Sequence, residues 1–389
     1  MSIAVAFLSG KGGSGKTTLA LSIADLLCRC QVKTLLVDCD LSTNGATYFY
    51  EAQMANTNND KQLDFTSFSN ILNMQKQAES PIPLKIASSL DFIPSVSEIS
   101  SQHIETLKDY GSDSAHPLPH FLDWAKLNYD VILFDCQAGY TKHLPVLLPL
   151  MDVDLFVMEA DSISASAMRS LHLKIGGNFG HAKIYQVFNK ATPEEYDIYS
   201  KIVGTFFVNI GTLLFDWKIR QAFSRSQIPD LKNTSAKFGS DLCDICTIMF
   251  PDKSLVEKIV PFSSQLRYQQ LKETRKEVEE SHLKMVGKPH TSLNYFLLGL
   301  IVATFPIIMS ILYKYISGYT WAQSVALDDP SQLMLMLMFA IACLLIVLIP
   351  MTSTIYSFRE IRKERQQYKR ELEELDKEIE KISTLCHKE

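Results

Sequence analysis

A glycine-rich stretch near the start of the chain constrains its fold more than any other feature. Residues 10–18 read Gly-Lys-Gly-Gly-Ser-Gly-Lys-Thr-Thr, between an apolar run, Ile3 to Leu8, and a segment with helical apolar spacing, Leu19 to Leu27. Strand, glycine-rich loop and helix in this order are typical of a phosphate-binding loop, because glycines let backbone N–H groups turn inward and the helix N-terminus adds partial positive charge. We therefore predict that Lys16 contacts the β- and γ-phosphates and that Thr17 ligates Mg²⁺.

The loop contains a second lysine, Lys11, which binding of the chain's own nucleotide does not require. Lys-Gly-Gly-x-Gly-Lys-Thr-Thr resembles the deviant Walker A loop of the MinD/ParA-like P-loop ATPases of the SIMIBI class. The resemblance implies an ATPase with a mostly parallel α/β sheet flanked by helices, and ATP and Mg²⁺ as cofactors. It also implies an ATP-sandwich homodimer in which Lys11 crosses to the partner's phosphates, with Lys11 and Lys16 both catalytic. The nucleotide-binding residues of the loop would be Gly10, Lys11, Gly12, Gly13, Ser14, Gly15, Lys16, Thr17 and Thr18.

Carboxylates follow two further apolar runs. Lys33 to Val37 is followed by Asp38 and Asp40, and the run from Tyr129 ends in Asp135. Ligands bind at the carboxyl edge of a parallel sheet, so these side chains are expected near the loop. Asp135 then reads as a Walker B ligand of the Mg²⁺ shell. The resemblance adds Asp38 to the magnesium region and makes Asp40 the residue that positions or activates the attacking water; helix capping by both is the alternative.

Three later segments extend the resemblance. After Asp135 the family usually has Asp-x-Pro-x-Gly, whereas this chain has Gln137 before Gly139, which leaves the loop less rigid. Glu159 to Ser166 resembles the segment that lines the family's dimer interface, with a helix cap as the alternative. Asn189 follows a predicted strand, Ile184 to Phe188, and the resemblance places its amide against adenine, since an amide both donates and accepts; a simple turn residue is the alternative.

Other segments are predicted from local patterns. Polar residues predict a loop at 51–60, and Asp64 or Thr66 is expected to cap a helix that runs to Met74. Apolar runs and helical spacing predict the remaining elements. These are strands at 90–95 and 154–158 and helices at 101–110, 121–127 and 254–285. Residues 213–229 resemble the family's last strand-and-loop segment, which the resemblance places near the base.

Composition restricts the kinds of binding partner and the cellular compartment that are expected for this chain. The net charge of −5 gives no overall basic field, which argues against nucleic acid as a partner. The eight cysteines are scattered and lie mostly in apolar runs, as expected of reduced cysteines in a cytosolic protein. Cys243 and Cys246 have C-x-x-C spacing, but a single pair without further cysteines or histidines is a weak signal for metal or redox chemistry.

Two long apolar stretches near the C-terminus predict a membrane segment. Residues 293–316 and 333–355 each contain the ~20 apolar residues needed to span a bilayer, and buried core helices are the alternative. Lysines before the first stretch and the basic run after the second predict a multi-pass protein of the cell inner membrane with both termini in the cytoplasm. Two spans would make the attachment permanent.

The tail, residues 357–389, has apolar side chains at alternating three- and four-residue steps, broken only by Arg365, with a charged exterior, which predicts a coiled coil. An amphipathic helix on the bilayer is the alternative. In a parallel homodimer Glu371 would face Asp376 of the other chain, so a different partner helix is also open. The seam consists of Phe358, Ile361, Tyr368, Leu372, Leu375, Ile379 and Ile382.

The predicted organisation is an ATPase domain (1–285), a linker (286–292), a transmembrane hairpin (293–356) and the coiled-coil tail. This predicts a membrane-integral ATPase that acts as a nucleotide-dependent switch and recruits or positions a protein partner, through the coiled coil or the ATPase face, at the inner membrane face. An ATP-controlled effector that forms a pore or disrupts the membrane, for example in defence, is the alternative. A DNA partition ATPase is the second alternative.

Overall fold

The computed structural model describes residues 2–55, 65–73, 80–96, 116–177, 179–192, 194–195, 207–231, 236–286, 299–300, 304, 306, 359 and 362–384. The chain divides into two compact units, residues 1–270 with 382–389, and residues 271–381. The first unit holds an α/β domain. The second holds the distal part of a long helix and most of a helix at 362–384, called here the tail helix.

A sheet of eight described strands forms the core of the first unit. The strands are β1 (Ile3–Leu8), β2 (Thr34–Cys39), β3 (Leu84–Ala87), β4 (Leu90–Ile93), β5 (Val131–Cys136), β6 (Val153–Met158), β7 (Lys183–Ala191) and β8 (Val208–Leu214). Their spatial order is β3-β4-β2-β5-β1-β6-β7-β8. All pairs are parallel except β3 with β4. Every residue of β1, β2, β5 and β6 is buried, which explains their continuous apolar runs.

Helices cover both faces of this sheet. One face packs against α1, α2, α7, α8 and the first half of α9, and the other against α3 to α6. This two-sided cover confirms the predicted α/β class with a mostly parallel sheet flanked by helices. The helices are α1 (Lys16–Arg29), α2 (Gly45–Ala55), α3 (Phe68–Asn73), α4 (Leu118–Asn128), α5 (Leu144–Leu147), α6 (Ser162–Ile175), α7 (Trp217–Ser224), α8 (Ala236–Met249) and α9 (Lys253–Val286).

Several local predictions were wrong in detail. Residues 51–55 continue α2 instead of forming a loop. The cap of α3 is Ser67, whose hydroxyl accepts from the Asn70 N–H at 3.1 Å, and not the predicted Thr66. The alternative cap, Asp64, and the predicted helix end, Met74, lie outside the described residues. The strands β2 and β7 run beyond Val37 and Phe188, since pairing with the neighbouring strand continues through their polar ends. The half-exposed strand β3 was not predicted, because its four residues have no clear apolar pattern.

The predicted membrane hairpin cannot be compared with the fold, since residues 333–355 and nearly all of 293–316 lie outside the described residues, as does the predicted helix at 101–110. Among the residues that are described, no helix combines the length and the apolar character needed to cross a bilayer. Residues 362–384 are helical, in agreement with a helical tail.

Candidate nucleotide-binding site

The glycine-rich loop lies between the carboxyl end of β1 and the start of α1. Gly13 and Gly15 have φ values of +83° and +84°, a region that favours glycine. Two glycines are also required by close packing. A Cβ on Gly10 would lie 2.4 Å from the backbone carbon of Ala167 in α6, and one on Gly15 would lie 2.2 Å from Asn189 Nδ2. The loop is therefore fixed from both sides by the fold before any ligand is considered.

Lys16 is buried and paired with the predicted Walker B residue. Its Nζ donates to Asp135 Oδ1 at 2.9 Å, and the two side chains are 6% and 0% exposed. Burial alone would lower the pKa of Lys16, but the charge and hydrogen bond of Asp135 outweigh it and leave that pKa raised. The structure thus brings together two residues that are 119 positions apart in the sequence.

Asp38 is fully buried next to Asp135, since β2 and β5 are paired in register at these two positions. Its Oδ2 accepts from the N–H and the hydroxyl of Thr47 at 2.9 and 2.7 Å, and its Oδ1 accepts from the Asp40 N–H at 3.0 Å. Burial and the charge of Asp135 raise the pKa of Asp38. Thr47 in turn exchanges hydrogen bonds with Ser95 at the end of β4.

Asp40 sits in the turn that follows β2. Its carboxylate accepts from the backbone N–H groups of Ser42 and Thr43 at 3.1 and 2.9 Å, and from both hydroxyls at 3.2 and 2.5 Å. Burial would raise the pKa of Asp40, but the hydrogen bonds from Thr43 and Ser42 outweigh it and lower that pKa. An ionised carboxylate is therefore held at the open edge of the sheet, with its orientation set by the turn.

Lys11 points away from its own loop toward the carboxyl end of β6. Its Nζ lies 2.8 Å from Glu159 Oε2 and 3.1 Å from Asp161 Oδ2. These partners raise the pKa of Lys11, with the Glu159 hydrogen bond contributing most. Asp161 also caps α6 by accepting from the Ser164 N–H at 2.7 Å. The capping role and the contact with Lys11 are thus combined in one residue.

A third lysine, Lys190, was not predicted as part of the site. Its Nζ donates to the Gly13 carbonyl and lies 3.2 Å from Glu159 Oε1, so Glu159 is shared by two lysines. Lys190 follows Asn189 in β7 and has a φ of +56°. The local signal is weak, because a single lysine at a strand end is common, and only the adjacency of β6 and β7 brings it to the loop.

Asn189 contacts the glycine-rich loop directly. Its Nδ2 donates to the Ser14 carbonyl at 2.9 Å, and its Oδ1 accepts from the Lys190 N–H at 3.0 Å. The side chain is buried. In this arrangement the amide nitrogen holds the loop while the amide oxygen is bound by the adjacent backbone N–H, so the structure gives Asn189 a positioning role beside the predicted contact with adenine.

The loop after β5 also closes onto the start of the glycine-rich loop. The Gly139 N–H donates to the Ser9 carbonyl at 2.8 Å, with a Gly139 φ of +79°. Open space surrounds the position of a Cβ on Gly139, Gly12 or Gly13. Three glycines therefore leave room at the face of the loop that is not packed against the domain.

The carboxylates fit a divalent cation. Asp135 Oδ2 is buried and has no hydrogen-bond partner within the described part of the chain, and Asp38 lies beside it with like charge. The side chain of Thr17 faces Gly45 at the start of α2. The described residues contain no cluster of three or more His, Cys, Asp or Glu side chains arranged for a metal ion. A Mg²⁺ ion bound with a nucleotide needs only one or two carboxylates, because phosphate oxygens supply further ligands.

The cysteine pair lies elsewhere. Cys243 and Cys246 are on α8, buried in the core and not joined by a disulfide. Burial raises the pKa of both thiols. Both side chains pack with the apolar residues on one face of the sheet, so the structure gives them a role in the core.

The fold and the loop together define a P-loop NTPase α/β domain. Residues 2–171, under half of the chain, match a family model described as an AAA domain. The chain is similar in fold to a protein assigned to plasmid partition in Borrelia burgdorferi B31, bound to AMPPNP (TM-score 0.53, 19% identity, 64% of this chain and 100% of that chain). It is also similar to the septum site-determining protein MinD of Pyrococcus horikoshii OT3 complexed with Mg-ADP (TM-score 0.50, 20% identity, 66% and 99%). No curated protein matches the chain.

Proposed function

We propose that this chain is an ATP hydrolase and that the bound nucleotide controls its association with a second copy and with a protein partner. The observation that carries the proposal is the buried pair of Lys16 and Asp135 at the base of the glycine-rich loop. A lysine held at this point, with open space above the loop glycines, is arranged for the phosphates of a nucleotide. The nucleotides bound to the two similar structures, AMPPNP and Mg-ADP, support ATP and Mg²⁺ as the ligands.

Different residues of this chain would have different roles in ATP hydrolysis. Backbone N–H groups of the loop bind the phosphates, and Lys16 exchanges its contact with Asp135 for phosphate oxygens. Asp40, ionised and oriented by its turn, positions the attacking water. Asp38, Asp135 and Thr17 would hold Mg²⁺, which when bound neutralises charge on the β- and γ-phosphates.

Lys11 is the residue that would link nucleotide binding to association. Its side chain is 30% exposed, and its partners Glu159 and Asp161 are 27% and 37% exposed. Ion pairs this accessible contribute only about 0–1 kcal/mol, so exchanging them for phosphate oxygens costs little. We infer that Lys11 leaves Glu159 and Asp161 when a second copy presents its ATP, and reaches those phosphates across the interface.

The site of action is proposed from the sequence. The two apolar stretches, 293–316 and 333–355, would anchor the protein permanently in the inner membrane with both termini in the cytoplasm, where ATP is available. A permanently anchored switch positions a partner rather than carrying it between compartments. The net charge of −5 favours a protein partner over DNA.

The test is ATP-dependent association of the full-length protein in detergent, measured by analytical ultracentrifugation, for wild type, Lys11→Ala and Lys253→Ala. Lys253 is an exposed lysine at the start of α9 and serves as the matched control. We expect wild type and Lys253→Ala to form dimers with ATP and Mg²⁺, and Lys11→Ala to bind ATP without dimerising. Dimers of Lys11→Ala equal to those of wild type would contradict the role of Lys11.

A further inference from the structure

The tail helix is joined to the distal part of α9 by an ion pair. Arg275, in the distal part of α9, donates from Nε to Asp376 Oδ1 at 2.7 Å and from Nη1 toward Glu279 Oε1 at 2.8 Å. The hydrogen bond to Asp376 and the charges of Asp376 and Glu279 raise the pKa of Arg275, and Tyr368 adds a smaller contribution. Two segments about one hundred residues apart are therefore side by side in the second unit.

The burial pattern shows which faces of the two helices are covered. Along residues 362–381 of the tail helix, only four side chains are partly buried, and they recur at the heptad spacing. In α9, Leu271, Arg275 and Val278 are partly buried while their neighbours 272–274 and 276–277 are exposed. Leu271 and Val278 are seven residues apart, one heptad, on the face that carries Arg275. The covered tail positions are Tyr368, Leu372, Leu375 and Ile379.

The division of the chain into two compact units favours an antiparallel arrangement of α9 and the tail helix. Arg275 reaches Asp376 from a position opposite the adjacent Leu375, and this antiparallel register places Leu271 opposite Ile379 and Val278 opposite Leu372. The following residues 382–384 then reach the part of α9 before Leu271. A parallel pair would place 382–384 near the end of α9 instead. Residues 382–384 group with the unit that contains α9 up to residue 270, as the antiparallel arrangement requires.

We propose that the tail helix binds the distal part of α9 in cis as an antiparallel two-helix stem, and that this pairing occupies the heptad seam that would otherwise bind a second copy. In such a stem the end of α9 and the start of the tail helix lie side by side.

Paired cysteines in the full-length chain test both the partner and the direction. The pair Val278→Cys and Leu372→Cys joins positions that face each other only in the antiparallel stem. The pair Val278→Cys and Ile379→Cys joins positions that face each other only in a parallel stem. Leu372 and Ile379 are one heptad, or ~10 Å, apart along the tail helix. A cysteine at 278 that lies within disulfide distance of one of them is therefore too far from the other. Cys28, Cys343 and Cys386 are replaced by serine throughout, since the other five native cysteines are buried and the introduced thiols are then the accessible ones.

We expect the 278/372 pair to form a disulfide within one chain, seen as a monomer of altered mobility on a non-reducing gel, and the 278/379 pair to stay reduced. Disulfide-linked dimers from the 278/372 variant, a bond in the 278/379 variant alone, or a bond in neither would overturn the proposal. Wild type provides a second measurement that needs no cysteine. After zero-length carboxyl–amine crosslinking, peptides joining 271–281 to 362–384 should come from the monomer band, and their restriction to the dimer band would overturn it too.

Discussion

Asp154 is a buried carboxylate whose ionisation should set a pH dependence of stability. It lies inside β6, is 0% exposed, and neither of its oxygens has a hydrogen-bond partner among the described residues. Gln186 on the adjacent strand β7 is equally buried and also lacks partners for its amide. Burial raises the pKa of Asp154 from its ordinary value of 3.8 to about 8, so the folded state holds this group protonated at neutral pH.

The sign and size of the effect follow from proton linkage. Between the two pKa values the folded state binds one more proton than the unfolded state, so stability is fully present below the unfolded pKa and falls as the pH rises toward 8. Each pH unit in this window costs about 1.4 kcal/mol. Relative to Asp154→Asn, which cannot ionise, wild type should therefore lose about 4 kcal/mol of stability between pH 5 and pH 8.

The assay is the thermal midpoint of the full-length protein in detergent at pH 5 and pH 8, for wild type, Asp154→Asn and Asp123→Asn. Asp123 is exposed on α4 and controls for the loss of a surface carboxylate. At about 2 °C per kcal/mol, the difference between wild type and Asp154→Asn should change by about 8 °C between the two pH values. A difference that stays constant with pH would refute the buried, protonated state of Asp154.

Two further predictions concern the site. Asp40→Ala should reduce ATP turnover about 100-fold while leaving nucleotide binding intact, so that an ATP-bound dimer accumulates. The control Asp40→Asn keeps an acceptor for the Ser42 and Thr43 N–H groups and so separates loss of charge from loss of the turn. Normal turnover in both variants would remove Asp40 from the mechanism. Gly10→Ala should lower the free energy of unfolding by about 1–3 kcal/mol, since its Cβ would collide with the backbone of α6. Gly12→Ala should leave the free energy of unfolding unchanged, because open space surrounds that position. Equal denaturant midpoints for the two variants would contradict the close packing of Gly10.

Much of the domain could be predicted from the sequence because its central strands are buried on both faces. Such strands appear as unbroken apolar runs, and β1 was predicted with its observed bounds. The carboxyl ends of parallel strands meet at one edge, which is why Asp38 and Asp135 could be expected near the glycine-rich loop before any distance was known. The direct pairing of Asp38 with Asp135 could not be predicted, since neither apolar run indicates the order of the strands in the sheet.

The partners of Lys11 depend on the same long-range order. Glu159 and Asp161 reach this lysine only because β6 lies next to β1, a pairing of segments about 150 residues apart. Gly10 and Gly15 resemble ordinary phosphate-loop glycines in the sequence, yet each is also required by contact with α6 or Asn189. The apolar run predicts a strand that begins at Asp154, because a charged residue inside a buried strand is costly and therefore rarely expected.

The central claim is that the glycine-rich loop binds ATP through Lys16, and equilibrium binding of a fluorescent ATP analogue to full-length wild type, Lys16→Ala and Lys253→Ala tests it most directly. Far-UV circular dichroism of each variant shows whether the fold is kept. The account predicts that wild type and Lys253→Ala bind in the presence of Mg²⁺, and that Lys16→Ala binds about 100-fold more weakly, as expected for the loss of charged hydrogen bonds worth about 3 kcal/mol. Equal binding by folded Lys16→Ala, or no binding by wild type, would contradict it.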